Sequence, residues 1–493
     1  MERRPPLDDA EAVREVEGHV EELGDPEASP ANPSGTLALA AAPEAADLVP
    51  DSTDSTSEIW RLAWPVMLSM TLASVVGIAD IAMVGRIGAT AQAAVGYAAQ
   101  LFFLAQSALF ALSFACVALM ARAIGAGRPA DARRALAASL VVSVAASLVL
   151  LLGIAAVPAP LLRRLSATPE VIALCVPYLR LLMGSTVLLS VCLTLESAFR
   201  ADRNTQTPMR ITLAVTSTKL ALNVLLIFGA PALGVPPFGV AGAGFATLIA
   251  QCVALALFVT VTLRKPADSA TTLRTRDFRG LRPYFRPLVR IALPGVGERI
   301  VMNLAMVVYF AFIGTYGTVA AAAYTIGIRI LSFSWIPGTG YSQAVATLIG
   351  QALGADDVQR AERAGWRAAR LAIATAVVMG TLGAAVREPL AALFTVDKDT
   401  VAALGPFMLC LSLAQPAMQL HFTLAGAFRG AGDTVTPLYA AFVGNWLFRV
   451  PLAFLAANVL HLSLTWIWLT LILDHIARAI WLLWSFVRGT WRK

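Results

Sequence analysis

Residues 59–88 read IWRLAWPVMLSMTLASVVGIADIAMVGRIG. From Ile59 to Gly85 only Arg61 and Asp80 are charged. A helix crosses a bilayer with about 20 mainly apolar residues, so this stretch is long enough to span one. The rest of the chain keeps the same character. Of its 493 residues 58% are apolar and 14% charged, and the mean hydropathy is +0.71. A soluble domain carries about 25% charged residues. The composition therefore excludes a soluble globular protein, and it excludes disorder over most of the length.

Twelve apolar segments follow one another, near 59–85, 92–121, 136–157, 170–197, 206–229, 239–263, 290–314, 319–349, 368–386, 400–426, 436–460 and 464–487. The loops between them are too short to hold a soluble domain. One alternate set of loops carries 23 Lys and Arg and the other set five. The basic set includes Arg122, Arg128, Arg133 and Arg134, the eight bases from Arg264 to Arg290, and Arg360, Arg363, Arg367 and Arg370. Positive charge stays on the cytoplasmic side. Both termini are thus expected in the cytoplasm, and an even number of spans agrees.

Residues 1–58 hold three basic and 15 acidic residues, whereas the remainder carries a net charge of +19. With Pro5, Pro6, Pro26, Pro30, Pro33, Pro43 and Pro50, this acidic stretch is expected to be a disordered cytoplasmic tail. It lacks the basic start and apolar run of a signal peptide. The basic surplus lies at the ends of apolar segments, which points to a membrane surface and argues against a nucleic-acid partner. Cys116, Cys175, Cys192, Cys252 and Cys410 sit in apolar runs without a C-x-x-C pair. They imply neither a disulfide framework nor a metal site. No nucleophile–base set and no phosphate-binding glycine loop is visible. An enzyme, a cofactor and direct ATP drive are therefore not expected.

The two halves repeat at an offset of 229 residues. Pro65 pairs with Pro294, Gly85 and Gly88 with Gly314 and Gly317, and Gly125-Ala126 with Gly354-Ala355. Pro177 pairs with Pro406, Ala198-Phe199-Arg200 with Ala427-Phe428-Arg429, and Thr207-Pro208 with Thr436-Pro437. Six spans per half is an even number, so both halves face the same way. The expected fold is an all-α integral membrane protein of twelve transmembrane helices. It forms two six-helix lobes related by a parallel pseudo-two-fold along the membrane normal. The expected divisions are a tail at 1–58, a first lobe at 59–263, a basic cytoplasmic linker at 264–289 and a second lobe at 290–493. The cleft between the lobes is the natural binding place.

Ionisable residues inside a membrane are expensive, so each one is informative. Asp80 lies five residues before the outer end of segment 1. Tyr178, Lys219, Asn223 and Thr247 fall at similar depths in segments 4, 5 and 6, by about 1.5 Å of rise per residue. Lys219 and Asn223, at i and i+4, share one helix face. At the 229 offset the second lobe has Tyr309, Phe407, Phe448 and Leu452 opposite Asp80, Tyr178, Lys219 and Asn223. A polar lobe with an apolar twin assigns ion coupling to the first lobe. Pro65, read as midway along segment 1, removes a backbone hydrogen bond and is a candidate bending point. Glu298, Asn303, Gln415, Gln419 and His421 are candidates for the substrate cleft. Glu298 also has a neighbour in Arg299 for a local interfacial pair. Asp474 and Arg478, at i and i+4, are expected to pair, and Arg449 to seek a carbonyl or acid in its own lobe.

Four motifs recur in a fixed order. Segment 1 carries Pro65 and Asp80-Ile-Ala-Met-Val-Gly85-Arg-Ile-Gly88. The loop after segment 2 reads Ile124-Gly-Ala-Gly-Arg-Pro-Ala-Asp-Ala-Arg133. Segment 6 opens with Gly239-Val-Ala-Gly-Ala-Gly-Phe-Ala-Thr247, and the loop after segment 10 reads Phe428-Arg-Gly-Ala-Gly-Asp-Thr434. Over residues 59–490 the chain resembles the multidrug and toxin extrusion (MATE) family, in its DinF-like branch. The resemblance implies proton- or sodium-driven efflux of small organic compounds. It makes Asp80 the cation-coupling carboxylate, with Tyr178, Asn223 and Thr247 at surrounding polar positions and Pro65 at the bend. It implies a monomer in a bacterial inner membrane. Lys219 departs from the pattern, which has Asn there. Facing Asp80, a Lys favours the charged carboxylate and makes bound sodium less favourable than a proton. It also opens a second reading, a flippase for lipid-linked precursors or an exporter of anionic metabolites. A channel or receptor is not supported, because no filter-like loop or ligand domain is visible.

Overall fold

The structure is a computed structural model and describes residues 56–155, 158–164, 167–266, 268–395 and 397–492. Residues 1–55 of the expected acidic tail lie outside the described residues. Among the described residues twelve helices are long and apolar enough to cross a membrane. They are α1 (Thr56–Gly85), α2 (Ala89–Gly125), α3 (Pro129–Ala155), α4 (Pro169–Ala201), α5 (Gln206–Phe228) and α6 (Gly239–Leu263). The second set is α7 (Arg282–Gly314), α8 (Thr318–Gly354), α9 (Val358–Ala385), α10 (Lys398–Gly430), α11 (Val435–Val459) and α12 (Leu464–Val487). Each expected apolar segment falls in one of them, give or take its ends.

The departures from expectation have local causes. α8 breaks at Trp335, before Pro337, which has no N–H for the ladder. α7 starts at Arg282, inside the stretch expected as linker, with Pro283 in its first turn, where a missing N–H costs nothing. α9 starts ten residues before the apolar run, because Asp357 caps it by accepting from the Arg360 N–H at 2.8 Å. α11 contains two π-helical segments, Val443–Arg449 and Leu455–Val459.

The repeat survives in the backbone. α2 and α4 have the same lengths as α8 and α10, 229 residues on. Left-handed residues also come in pairs at that spacing: Gly127 (67°) with Asp356 (56°), and Arg203 (54°) with Gly432 (83°). In each pair one partner is not glycine and accepts about 1–2 kcal/mol of strain. The turn itself is therefore the repeated feature.

The two lobes meet on the face that carries the basic loops, here called the basic face. A Cβ on Gly125 would overlap the Gln351 carbonyl, and one on Gly354 the Arg122 carbonyl. The backbones of α2 and α8 thus touch, which only glycine allows. Gln351 Nε2 donates to the Ala201 carbonyl at 2.7 Å and Thr347 to the Arg200 carbonyl at 3.1 Å. The start of α1 joins this closure. Ile59, Leu62 and Ala63 are buried with Tyr341, Val345 and Leu348 of α8.

Candidate functional site

α1 places Asp80 one turn and a half from its end, against the face of α5 that carries Lys219 and Asn223. Lys219 Nζ donates to Asp80 Oδ2 at 2.6 Å. Asn223 Nδ2 donates to Asp80 Oδ1 through a short hydrogen bond. Each carboxylate oxygen therefore has one donor, which offsets the cost of removing a charge from water. Asn223 is fully buried, and its own Oδ1 accepts no hydrogen bond among the described residues. The Asp80 and Lys219 side chains remain 17% and 21% accessible. The pair is shielded but reachable, as a site that exchanges a small cation must be.

Two other expected members make no hydrogen bond to Asp80 among the described residues. Thr247 gives its hydroxyl to the Ala243 carbonyl of its own helix at 3.0 Å. Tyr178 is buried on α4, with its ring against Gly244 of α6, and it lies within electrostatic reach of Asp80. Pro65 is the tenth residue of α1 rather than midway, because the helix begins at Thr56. It lies 15 residues, about 22 Å, from Asp80. α1 stays helical through it, and Ser69 donates to the Pro65 carbonyl at 2.8 Å. Pro65 lies within the part of α1 packed on α8, which runs from Ile59 to Met67, and toward the basic face from the part paired with α5.

The candidate cleft residues scatter. Arg429 Nη2 donates to both Glu298 oxygens, at 2.7 and 2.9 Å, so the partner of Glu298 is Arg429 rather than the adjacent Arg299. The Arg429 guanidinium also covers the Phe114 ring of α2 at 5.0 Å. Glu298 therefore stands in the basic-face closure. Gln419 donates to the Ser334 carbonyl at 2.6 Å and to Gln415 Oε1 at 3.0 Å, and both glutamines are buried. His421 is buried, its ring stacked on His475 at 5.1 Å. Asn303 alone of the five is appreciably accessible.

The second lobe is not the apolar twin that the fixed offset implies. Arg478 bonds both oxygens of Asp474, at 2.7 and 2.8 Å, and Arg449 makes a further short contact with it. Asp474 is fully buried. The Arg449 guanidinium lies 5.6 Å over the ring of Tyr309, the counterpart of Asp80. The π-helical segment explains the discrepancy. It adds a residue to α11, so that Arg449 rather than Phe448 faces Tyr309, where Lys219 faces Asp80. A wider helical turn is a tertiary feature with no gap in the sequence to announce it. His475, beside this cluster, has no hydrogen-bond partner on either nitrogen among the described residues.

Asp80 offers a carboxylate with a displaceable ammonium partner, on a helix that also packs against the other lobe. Among the described residues no group of three or more His, Cys, Asp or Glu could hold a metal ion.

The comparisons with known proteins agree with this architecture. The family model described as MatE matches residues 65–225 and again 294–455. The chain is 28% identical over 444 residues to a protein named "Probable multidrug resistance protein NorM" from Thermotoga maritima, covering 88% of this chain and 93% of that one. It is 25% identical over 431 residues to "Uncharacterized transporter YisQ" of Bacillus subtilis, covering 87% and 93%. Among solved structures it resembles a MOP superfamily transporter from Pyrococcus furiosus. The TM-score is 0.82 at 22% identity, with 89% of this chain and 97% of that one covered.

Proposed function

The chain belongs to the MatE family, and on that premise we propose that it is a secondary active efflux antiporter. In this reading it exports organic, amphipathic, cationic compounds and is driven by a proton gradient through Asp80. It works as a monomer in a bacterial inner membrane, with both termini and the basic face in the cytoplasm. The observation that carries the reading is the Asp80–Lys219–Asn223 triad, reachable and set in the half of α1 away from the closed basic face. The names of the relatives support a drug-like cargo, and the surplus of basic loops supports the orientation. The DinF-like assignment rests on α10, which offers Gln415, Gln419 and His421 where the NorM branch carries an acid.

The mechanism follows from the connections of α1. With the basic face closed, Asp80 takes a proton from outside. Neutralisation releases the Lys219 ammonium, and α1 loses its ionic hold on α5. Because the other end of α1 is packed on α8, a shift of the helix around Pro65 changes the contact between lobes. Substrate leaves outward, the lobes rock, and the proton leaves to the cytoplasm. Proteoliposomes with an imposed pH gradient and a fluorescent organic cation test this. Asp80→Asn should reduce gradient-driven transport to background; full transport by that variant refutes the mechanism. A second reading, export of an anionic or lipid-linked cargo, is favoured by one residue, Lys219. It predicts no cation transport by the folded wild type and loss of anion transport in Lys219→Asn.

A further inference from the structure

α2 meets the second lobe along one face. Gly125 lies against Gln351, Ala121 against Gly350 and Ala111 against Gly295, and Arg429 covers the ring of Phe114. α2 is unbroken from Ala89 to Gly125. The same line along it runs on through Phe103, Gln100, Gly96 and Ala93, all within about 40° of Gly125 around the helix. These four are exposed. The face that touches the other lobe near the basic side is thus free toward the outer side, where the lobes stand apart as a cleft.

α8 carries the repeated line. At the offset of 229 residues, Ala322, Thr325, Arg329 and Ser332 correspond to Ala93, Gly96, Gln100 and Phe103. Ala322, Thr325 and Arg329 are exposed and Ser332 is half-buried. The core of the lobe lies on the other side of the helix, where Gly327 packs on the Phe407 ring and Tyr324 stacks on Trp468 at 6.0 Å. Arg329 lies about 16 Å from the outer start of α8 at Thr318. That is near the middle of a hydrocarbon core about 30 Å thick. Among the described residues its guanidinium has no ion-pair or hydrogen-bond partner. A charge at such a depth either pairs or faces a water-filled cavity. Unpaired and on the line equivalent to Gln100, Arg329 faces the cleft. The neutral Gln100 shows that the fold does not require a charge at this place.

We propose that Arg329 binds an acidic group of the transported compound, a carboxylate, so that the organic cation of the antiporter reading also carries a negative charge. The planar fork of an arginine takes both oxygens of a carboxylate at once. Phe103, on the equivalent line of the other lobe, presents an exposed ring to the apolar body of the compound. The identity of the cargo rests on the antiporter reading; the binding itself does not depend on the Asp80 step.

The test uses rhodamine B, a zwitterion with a free carboxylate, and its ethyl ester, which has the same body and cation but no acid. Fluorescence anisotropy of each dye, titrated with the full chain in detergent, reads binding without a gradient. Wild type should bind rhodamine B more tightly than the ester. Arg329→Gln should weaken rhodamine B about ten-fold, the worth of a hydrogen bond to a charged group, and leave the ester unchanged. Arg329→Lys keeps the charge and loses the fork, so it should fall between, and it decides the matter if Arg329→Gln does not fold. The preference should persist in Asp80→Asn. Failure of the antiporter reading therefore shows as absent gradient-driven transport with selective binding intact. Equal binding of the two dyes by wild type, no binding of rhodamine B, or equal loss of both dyes in the Arg329 variants overturns the proposal.

Discussion

Two carboxylates in the membrane region meet opposite fates. Asp474 is fully enclosed and held by two arginines, one of them bidentate. Asp80 keeps one ammonium and one amide, and it stays partly accessible. Removing Asp474 strands two buried guanidinium groups, so Asp474→Leu should destabilise the protein by about 3–5 kcal/mol. Thermal unfolding in detergent measures this, and Arg478→Leu, which leaves Asp474 paired with Arg449, should be milder. Lys219→Asn should cost less than Asp474→Leu, because Asn223 still donates to Asp80 and the pair is partly accessible, while changing transport. The same unfolding assay, run beside the vesicle assay, separates the two. The sequence made Asp80, Lys219 and Asn223 legible, because depth and i, i+4 spacing follow from counting residues. The partners of Thr247 and Gln419 were not legible. The Thr247 hydroxyl turns to its own helix and the Gln419 amide reaches the Ser334 carbonyl of a neighbour, and composition does not say which way such a group turns.

At the level of elements, α2 and α8 show what a missing Cβ allows. Gly354 lies against the Arg122 carbonyl and Gly125 against the Gln351 carbonyl, so the two helices approach backbone to backbone. Gly354→Val forces them apart. Spin labels on the basic ends of α2 and α8 should then report a longer mean distance than in wild type, with the α-helical circular dichroism unchanged. α11 shows the reverse. Its π-helical segments add residues without interrupting the apolar pattern, so an alignment at fixed offset puts Phe448 where Arg449 belongs. The ends of α7 and α9 were illegible for a related reason. Both begin in charged turns that hydropathy assigns to loops, and only the cap and the packing keep those turns helical.

Across the whole molecule, the basic-face closure is one continuous contact. Arg203 ties Gln351 of α8 to Glu58 of α1, at 2.5 and 2.9 Å, and Arg429 ties Glu298 to the ring of Phe114. A rocking cycle must break the two that cross between lobes, Arg203 with Gln351 and Arg429 with Phe114. A Cβ on Gly350 would lie 2.8 Å from the Ala121 Cβ, about 1 Å closer than a disulfide's usual spacing, so the two helices must part by about that much to hold the bridge. The double variant Ala121→Cys/Gly350→Cys should cross-link on oxidation and lose transport, and reductant should restore it. Unchanged transport by the cross-linked protein would mean that this closure does not open during the cycle.

The sequence by itself determined the membrane class, the twelve spans, the duplication and the family. The first three follow from hydropathy, span length and an ungapped repeat, and the family from the resemblance of its ordered motifs, all of which are written along the chain. It also determined that Asp80 needs partners, since a lone carboxylate at that depth is too costly to bury. Only the tertiary structure decided which donors those are, that Arg449 stands in for Lys219 in the second lobe, and which face is closed. Those outcomes depend on how far each helix turns and how near its backbone comes to a neighbour. Local sequence constrains neither quantity until the helices pack.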